Sequence, residues 1–182
     1  MFPSASPLPG RRTPIMALAL TLSLAAAAWP ASLEKALVLS GMESRSLDRA
    51  RARAYALLDS SECRKLFSDF TDAEGRTLQA KLDALGQTPA EYLGTVHFLN
   101  GELQPLCRRS AVQMTTSGRS RYVYVCPQFR QFEDRRPELA PVLVLHESLH
   151  TLGLGENPPT SMEITNRIYA RCRCRAPDVR DR

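Results

Sequence analysis

Residues 140–164, APVLVLHESLHTLGLGENPPTSMEI, constrain this chain more than any other stretch. Four apolar residues, Val142, Leu143, Val144 and Leu145, run directly into His146-Glu147-x-x-His150, and Gly153, Gly155 and Glu156 follow. A helical residue advances about 100°, so positions i and i+4 stand roughly 40° apart in azimuth and one turn apart in height. His146 and His150 can therefore reach one ion. The apolar run argues that this helix is buried, and a His-Glu-His cluster taken out of water without a partner is costly. A cation held by the two imidazoles is the partner such a cluster suits, with Glu147 free to take a proton from a water beside it. Two of the three histidines fall in the pattern.

The segment resembles the zincin metalloproteases. His146-Glu147-x-x-His150-x-x-Gly153-x-x-Glu156 follows the extended metzincin pattern, in which a glycine turn ends the helix and returns a third ligand to the metal. Metzincins usually carry His at that third place and a snapalysin-like group carries Asp; here it is Glu156, whose carboxylate oxygen is a competent zinc ligand. Glu163 is the rival, as in gluzincins, where a Glu on a following helix completes the site. Thr160-Ser161-Met162-Glu163 also reads as a capping box opening the last helix, which gives Glu163 a structural role. Spacing favours Glu156. The resemblance implies Zn2+ held by His146, His150 and Glu156, with Glu147 as general base, acting on a peptide or protein substrate.

At the other end, Arg11 and Arg12 precede an uncharged apolar run over residues 15–28 that closes in alanines, the grammar of a secretory signal peptide. The run is short for a membrane span, and no other stretch could form one. Residues 1–28 are therefore expected to be a signal peptide and residues 29–182 a single domain, secreted or periplasmic, with a frayed basic tail over 173–182. Losing residues 1–28 removes two arginines and no acid, so the formal charge falls from +5 to +3. That imbalance is too mild to argue for nucleic acid or a membrane surface as partner.

Export makes disulfides the first reading of the five cysteines, with one thiol left over. Cys107 and Cys126 flank strand-like segments and are expected to pair across a hairpin. Cys63 is expected to pair with Cys172 or Cys174, which stand too close in sequence to bond each other.

Periodicity over 43–70 predicts one or two helices, 78–85 a short helix stopped by Gly86, and 88–91 a capping box with proline at the first helical position. Residues 95–99 read as a strand running into a tight turn at Asn100-Gly101, and 111–116 with 121–126 as a hairpin. His97 is expected to be a half-buried strand residue, and Tyr122 and Tyr124 to pack on a strand. The motif helix runs to Leu152, Asn157-Pro158-Pro159 reads as extended, and the last helix spans about 161–172.

Helices, then strands, then the motif helix and a closing helix make an α+β domain whose sheet is built from hairpins. By the resemblance, this is a small zincin-like domain with N-terminal helices, an active-site helix and a C-terminal helix. The leading functional expectation is a secreted zinc peptidase. The alternative is an exported, disulfide-stabilised binding protein with a structural or vestigial zinc site. Because the apolar run is too short to anchor, N-terminal sequencing of the exported protein should begin close to Trp29; an intact membrane-bound form starting at Met1 would contradict this.

Overall fold

A computed structural model describes residues 39, 41–116 and 120–172 of the chain. The expected signal peptide, the tail over 173–182 and Cys174 lie outside the described residues. Among the described residues the fold is mixed α+β, with seven α-helices and one three-stranded sheet.

The periodicity over 43–70 becomes α1 (Gly41–Leu58), a short α2 (Ser61–Arg64) and a 3₁₀ turn at Lys65–Ser68. Leu47, Ala50, Ala54 and Leu58 keep one helical face and are buried. Helix α3 (Leu78–Leu85) opens where the Thr77 hydroxyl accepts from Ala80 N–H at 3.1 Å and stops at Gly86, whose φ is 64°. Helix α4 (Pro89–Gly94) carries the expected capping box: Glu91 N–H donates to Thr88 Oγ1 and Thr88 N–H donates to Glu91 Oε2.

The strands are β1 (His97–Asn100), β2 (Met114–Thr116) and β3 (Tyr122–Val125), in the order β1-β3-β2. The expected β2–β3 hairpin is present, with Thr115 opposite Tyr124. The first strand departs from a sheet made of hairpins. It crosses over and pairs parallel to β3, with His97 opposite Tyr122. Asn100-Gly101 does turn the chain, but into a connection containing a second 3₁₀ turn, Pro105–Arg108, long enough to return it to the sheet edge beyond β3. His97 is exposed on this outer strand instead of half-buried, its ring centroid 5.6 Å from that of Tyr122.

Helix α5 (Phe129–Arg135) has no counterpart in the sequence reading. It buries Phe129 and also Glu133, and the latter explains why it escaped notice: an acid on the inner face breaks the apolar stripe. Arg49 and Arg53 of α1 satisfy that carboxylate, with Arg49 Nε and Arg53 Nη1 each 3.1 Å from Glu133 Oε1. Helices α6 (Ala140–Thr151) and α7 (Ser161–Cys172) close the domain; α6 packs on α1, α7, β2 and β3. The connection between them is no extended segment. Asn157 has φ 64° and its N–H donates to Pro159 O at 2.8 Å, so the chain turns sharply.

Two disulfides staple these parts. Cys63–Cys172 joins α2 to the end of α7, and Cys107–Cys126 joins the β1–β2 connection to the end of β3, not the two strands of the hairpin. No helix among the described residues is long and apolar enough to cross a membrane.

Asp72 carries a second buried charge. Its side chain is 1% exposed and accepts from Arg76 Nη2 at 2.9 Å, from Arg76 N–H at 2.9 Å and from Glu74 N–H at 3.0 Å, with Lys81 Nζ at 3.3 Å. Burial opposes ionisation, but the Arg76 and Lys81 contacts outweigh it and hold the carboxyl well below its usual range. Glu133 is held low too, chiefly by its hydrogen bond from Arg49, against burial. Depressed carboxyl pKa values give stability that is present above the unfolded value of about 4 and is lost as pH falls through the folded values. Acid titration followed by circular dichroism should show stability falling below about pH 4, and Asp72→Asn should be less stable at pH 7 yet lose less on acidification. An unchanged acid limb in that variant would contradict the role given to Asp72.

Candidate metal centre

The motif helix α6 is apolar nearly all round and is buried accordingly, with Val142, Val144, Leu145 and Leu149 each no more than 1% exposed. Its hydroxyls are satisfied locally: Ser148 donates to Leu145 O and Thr151 to Ser148 O, both at 2.7 Å, while Tyr92 OH donates to Thr151 Oγ1 at 3.0 Å. His146 and Glu147 go into the interior with it, 5% and 8% exposed.

Gly153 ends the helix at φ 105°, with its N–H on His150 O at 2.9 Å and Leu154 N–H on Leu149 O at 3.2 Å. A Cβ there would lie 2.8 Å from Lys81 Nζ and 3.6 Å from Asp72 Cβ, so the buried Asp72 network is the surface on which the chain turns. The turn brings Glu156 back over the helix. Glu156 Oε1 lies 3.6 Å from His146 Nε2 and 3.4 Å from His150 Nε2, and the two Nε2 atoms are 3.1 Å apart. His146, His150 and Glu156 could together hold a metal ion.

The outer nitrogens are already engaged. His150 Nδ1 is 2.8 Å from the carbonyl of Leu154, which only accepts, so Nδ1 carries the proton and Nε2 turns a lone pair inward. His146 Nδ1 lies 3.2 Å from Thr165 Oγ1. Lone pairs facing each other at this distance repel unless a proton or a cation stands between them. Burial, helped by the neighbouring His150, pushes His146 down to about 4 against the pull of Glu156. A neutral His146 at pH 7 is in the form that ligates. Burial also pushes Glu147 up to about 8, with the charge of Glu156 adding to it.

The cluster opens onto a cleft of about 510 Å³. Its lining comes from α6, from the 106–116 stretch including all of β2, and from Glu156, Ser161 and Thr165. Glu163 stands elsewhere. It accepts from Thr160 N–H at 2.7 Å and Thr160 Oγ1 at 2.8 Å, the capping box expected of it, and lines a larger hollow of about 760 Å³ containing neither histidine. The donor set, not the size of the hollow, marks the site.

His97, Tyr122 and Tyr124 are absent from the described lining of the cleft; they lie on β1 and β3, with His97 and Tyr122 exposed. The reading of the sequence missed Thr165 and the Leu154 carbonyl, which orient the imidazoles. A backbone carbonyl leaves no mark in a sequence, and Thr165 belongs to no motif. No protein-family model, curated protein or solved structure matches the chain.

Metal stoichiometry separates the two carboxylates. Glu156→Ala should lose bound metal, whereas Glu163→Ala should keep it and give up only a helix cap, about 0.5–2 kcal/mol of stability. Metal lost from Glu163→Ala and kept by Glu156→Ala would reverse the assignment.

Proposed function

We propose that this chain is a secreted zinc-dependent peptidase of zincin type, with His146, His150 and Glu156 as zinc ligands and Glu147 as general base. The observation that carries the reading is the open triangle of donors at the floor of a cleft. Tetrahedral zinc with bonds of about 2.0–2.1 Å separates its ligand atoms by about 3.3–3.4 Å. The three separations here, 3.1, 3.4 and 3.6 Å, bracket that edge. Three protein donors leave a fourth direction towards the cleft, the arrangement of catalytic sites; a structural site closes all four. The binding-protein alternative has no such support.

A zinc ion, when bound, supplies Lewis acidity towards a peptide carbonyl and lowers the pKa of water to about 7. Around that chemistry each residue has a task. The Leu154 carbonyl and Thr165 fix the imidazole orientations. Glu147 is too buried to ionise easily alone, and a nearby dication reverses this by favouring its charged form. Its carboxylate oxygen then accepts a proton from the attacking water and returns it to the leaving amine. Strand β2 borders the cleft and is an outer strand of the sheet among the described residues, so its edge suits an extended peptide laid beside it. The two disulfides suit an oxidising compartment.

The test is a peptide-library digest by zinc-supplemented protein, run beside Glu147→Gln. The amide has the carboxylate's shape, so the variant should keep its fold and its zinc while hydrolysis falls by about 10²–10⁴-fold. Full activity in Glu147→Gln, or no cleavage by the zinc-loaded wild type, would overturn the proposal.

A further inference from the structure

We infer that the polypeptide recognised here is acidic beside the cleavage site, and that it leaves the cleft over residues 109–113 to lie against Arg109, Arg135 and Arg136. This rests on the peptidase reading for the word substrate, but the recognition surface is argued from separate residues.

Arg109 is the only arginine or lysine among the described residues lining the cleft. A second hollow, about 450 Å³, adjoins it through Gln113, which lines both. Its wall includes Ser110, Gln131, Phe132, Arg135 and Arg136 and no acid. All three arginines are exposed, and none makes an ion pair with a described residue. Of the acids near this end of α5, Glu133 is engaged by Arg49 and Arg53 and Asp134 by Arg49 and Arg130, while the exposed Glu138 forms no ion pair with a described residue and lines neither hollow. Among the described residues, these three arginines lead out of the cleft without an ion-pair partner.

The bridge between the hollows is held in advance. Gln128 Nε2 donates to Cys107 O at 3.2 Å, to Arg109 O at 2.9 Å and to Val112 O, and Cys107 is tied to Cys126. Binding there orders little backbone, which favours affinity. Gln113 spans both hollows, and its Nε2 donates to Ser110 O at 3.3 Å, which ties the bridge down further. A peptide crossing residues 109–113 brings amide N–H groups together with carboxylates. On the peptidase reading the occupant of the cleft is a polypeptide, and its acidic side chains are the groups that pair with these arginines.

The experiment measures fluorescence anisotropy of labelled peptides identical except for a flanking run of Glu, Gln or Lys, bound to zinc-supplemented Glu147→Gln protein so that none is cleaved. The Glu peptide should bind tightest at low salt, and its advantage should shrink as salt rises from about 20 mM to about 0.5 M. Arg109→Gln and the double substitution Arg135→Gln with Arg136→Gln should each cut that advantage, by about two- to fivefold per charge removed, the range of an exposed ion pair. Lysine at the same positions should retain it. Equal binding of the Glu and Gln peptides, an advantage unmoved by the arginine variants, or tighter binding of an RNA oligomer of equal charge would overturn the inference. The two readings fail separately. Wild-type cleavage of neutral and acidic peptides at the same kcat/KM rejects the acidic preference and spares the peptidase, whereas charge-dependent binding with no cleavage does the reverse.

Discussion

The structure depends on the removal from water of two ionisable side chains, His146 and Glu147, carried by one apolar helix. Helix α6 buries Val142, Val144, Leu145 and Leu149 in the centre of the core, and His146 and Glu147 follow because they share its backbone. Burial alone disfavours the charged form of each, which is why the imidazole is pushed down and the carboxyl up. Such a pair is stable only if something offsets the lost hydration. A dication held by the two imidazoles and the Glu156 carboxylate would do so, and the same desolvation that makes the cluster costly would strengthen its hold on a cation.

Several parts of the fold converge on the return of Glu156 to that cluster. The Asp72–Arg76–Lys81 network underlies Gly153, where the lack of a side chain and the positive φ let the chain reverse. Leu154 then spends its carbonyl on His150, and Glu156 follows two residues later. The connection ends in the Thr160–Glu163 capping box, which starts α7 so that Thr165 faces His146. Cys63–Cys172 fixes the far end of α7, while Cys107–Cys126 fixes the wall of the cleft that carries Arg109. Each disulfide thus restrains one side of the site.

What could be read from the sequence was whatever local spacing encodes. Helical periodicity, the Thr88 and Thr160 capping boxes, the glycine stops and the β2–β3 hairpin are all written within a few residues of one another. So is the pairing of His146 with His150, since i, i+4 geometry is fixed by the helix itself. The parallel crossover of β1 was not legible, because a four-residue run of strand-forming residues, exposed at its first position and half-buried over the rest, does not say on which side or in which direction it pairs. Helix α5 was hidden by Glu133, whose partners lie some eighty residues earlier on α1. The turn at Asn157 was read as extended from its prolines alone. The third donor was legible as a choice between Glu156 and Glu163, and folding separates them by giving Glu163 a capping role that keeps it from the cluster.

The central claim is that one ion sits among His146, His150 and Glu156 with a direction left open. Zinc K-edge absorption on the zinc-loaded protein tests this most directly. The account predicts about one zinc per chain in a shell of nitrogen and oxygen at about 2.0–2.1 Å, with imidazole scattering from two histidines and no sulfur. A shell containing sulfur at about 2.3 Å, or a protein that binds no zinc, would contradict it.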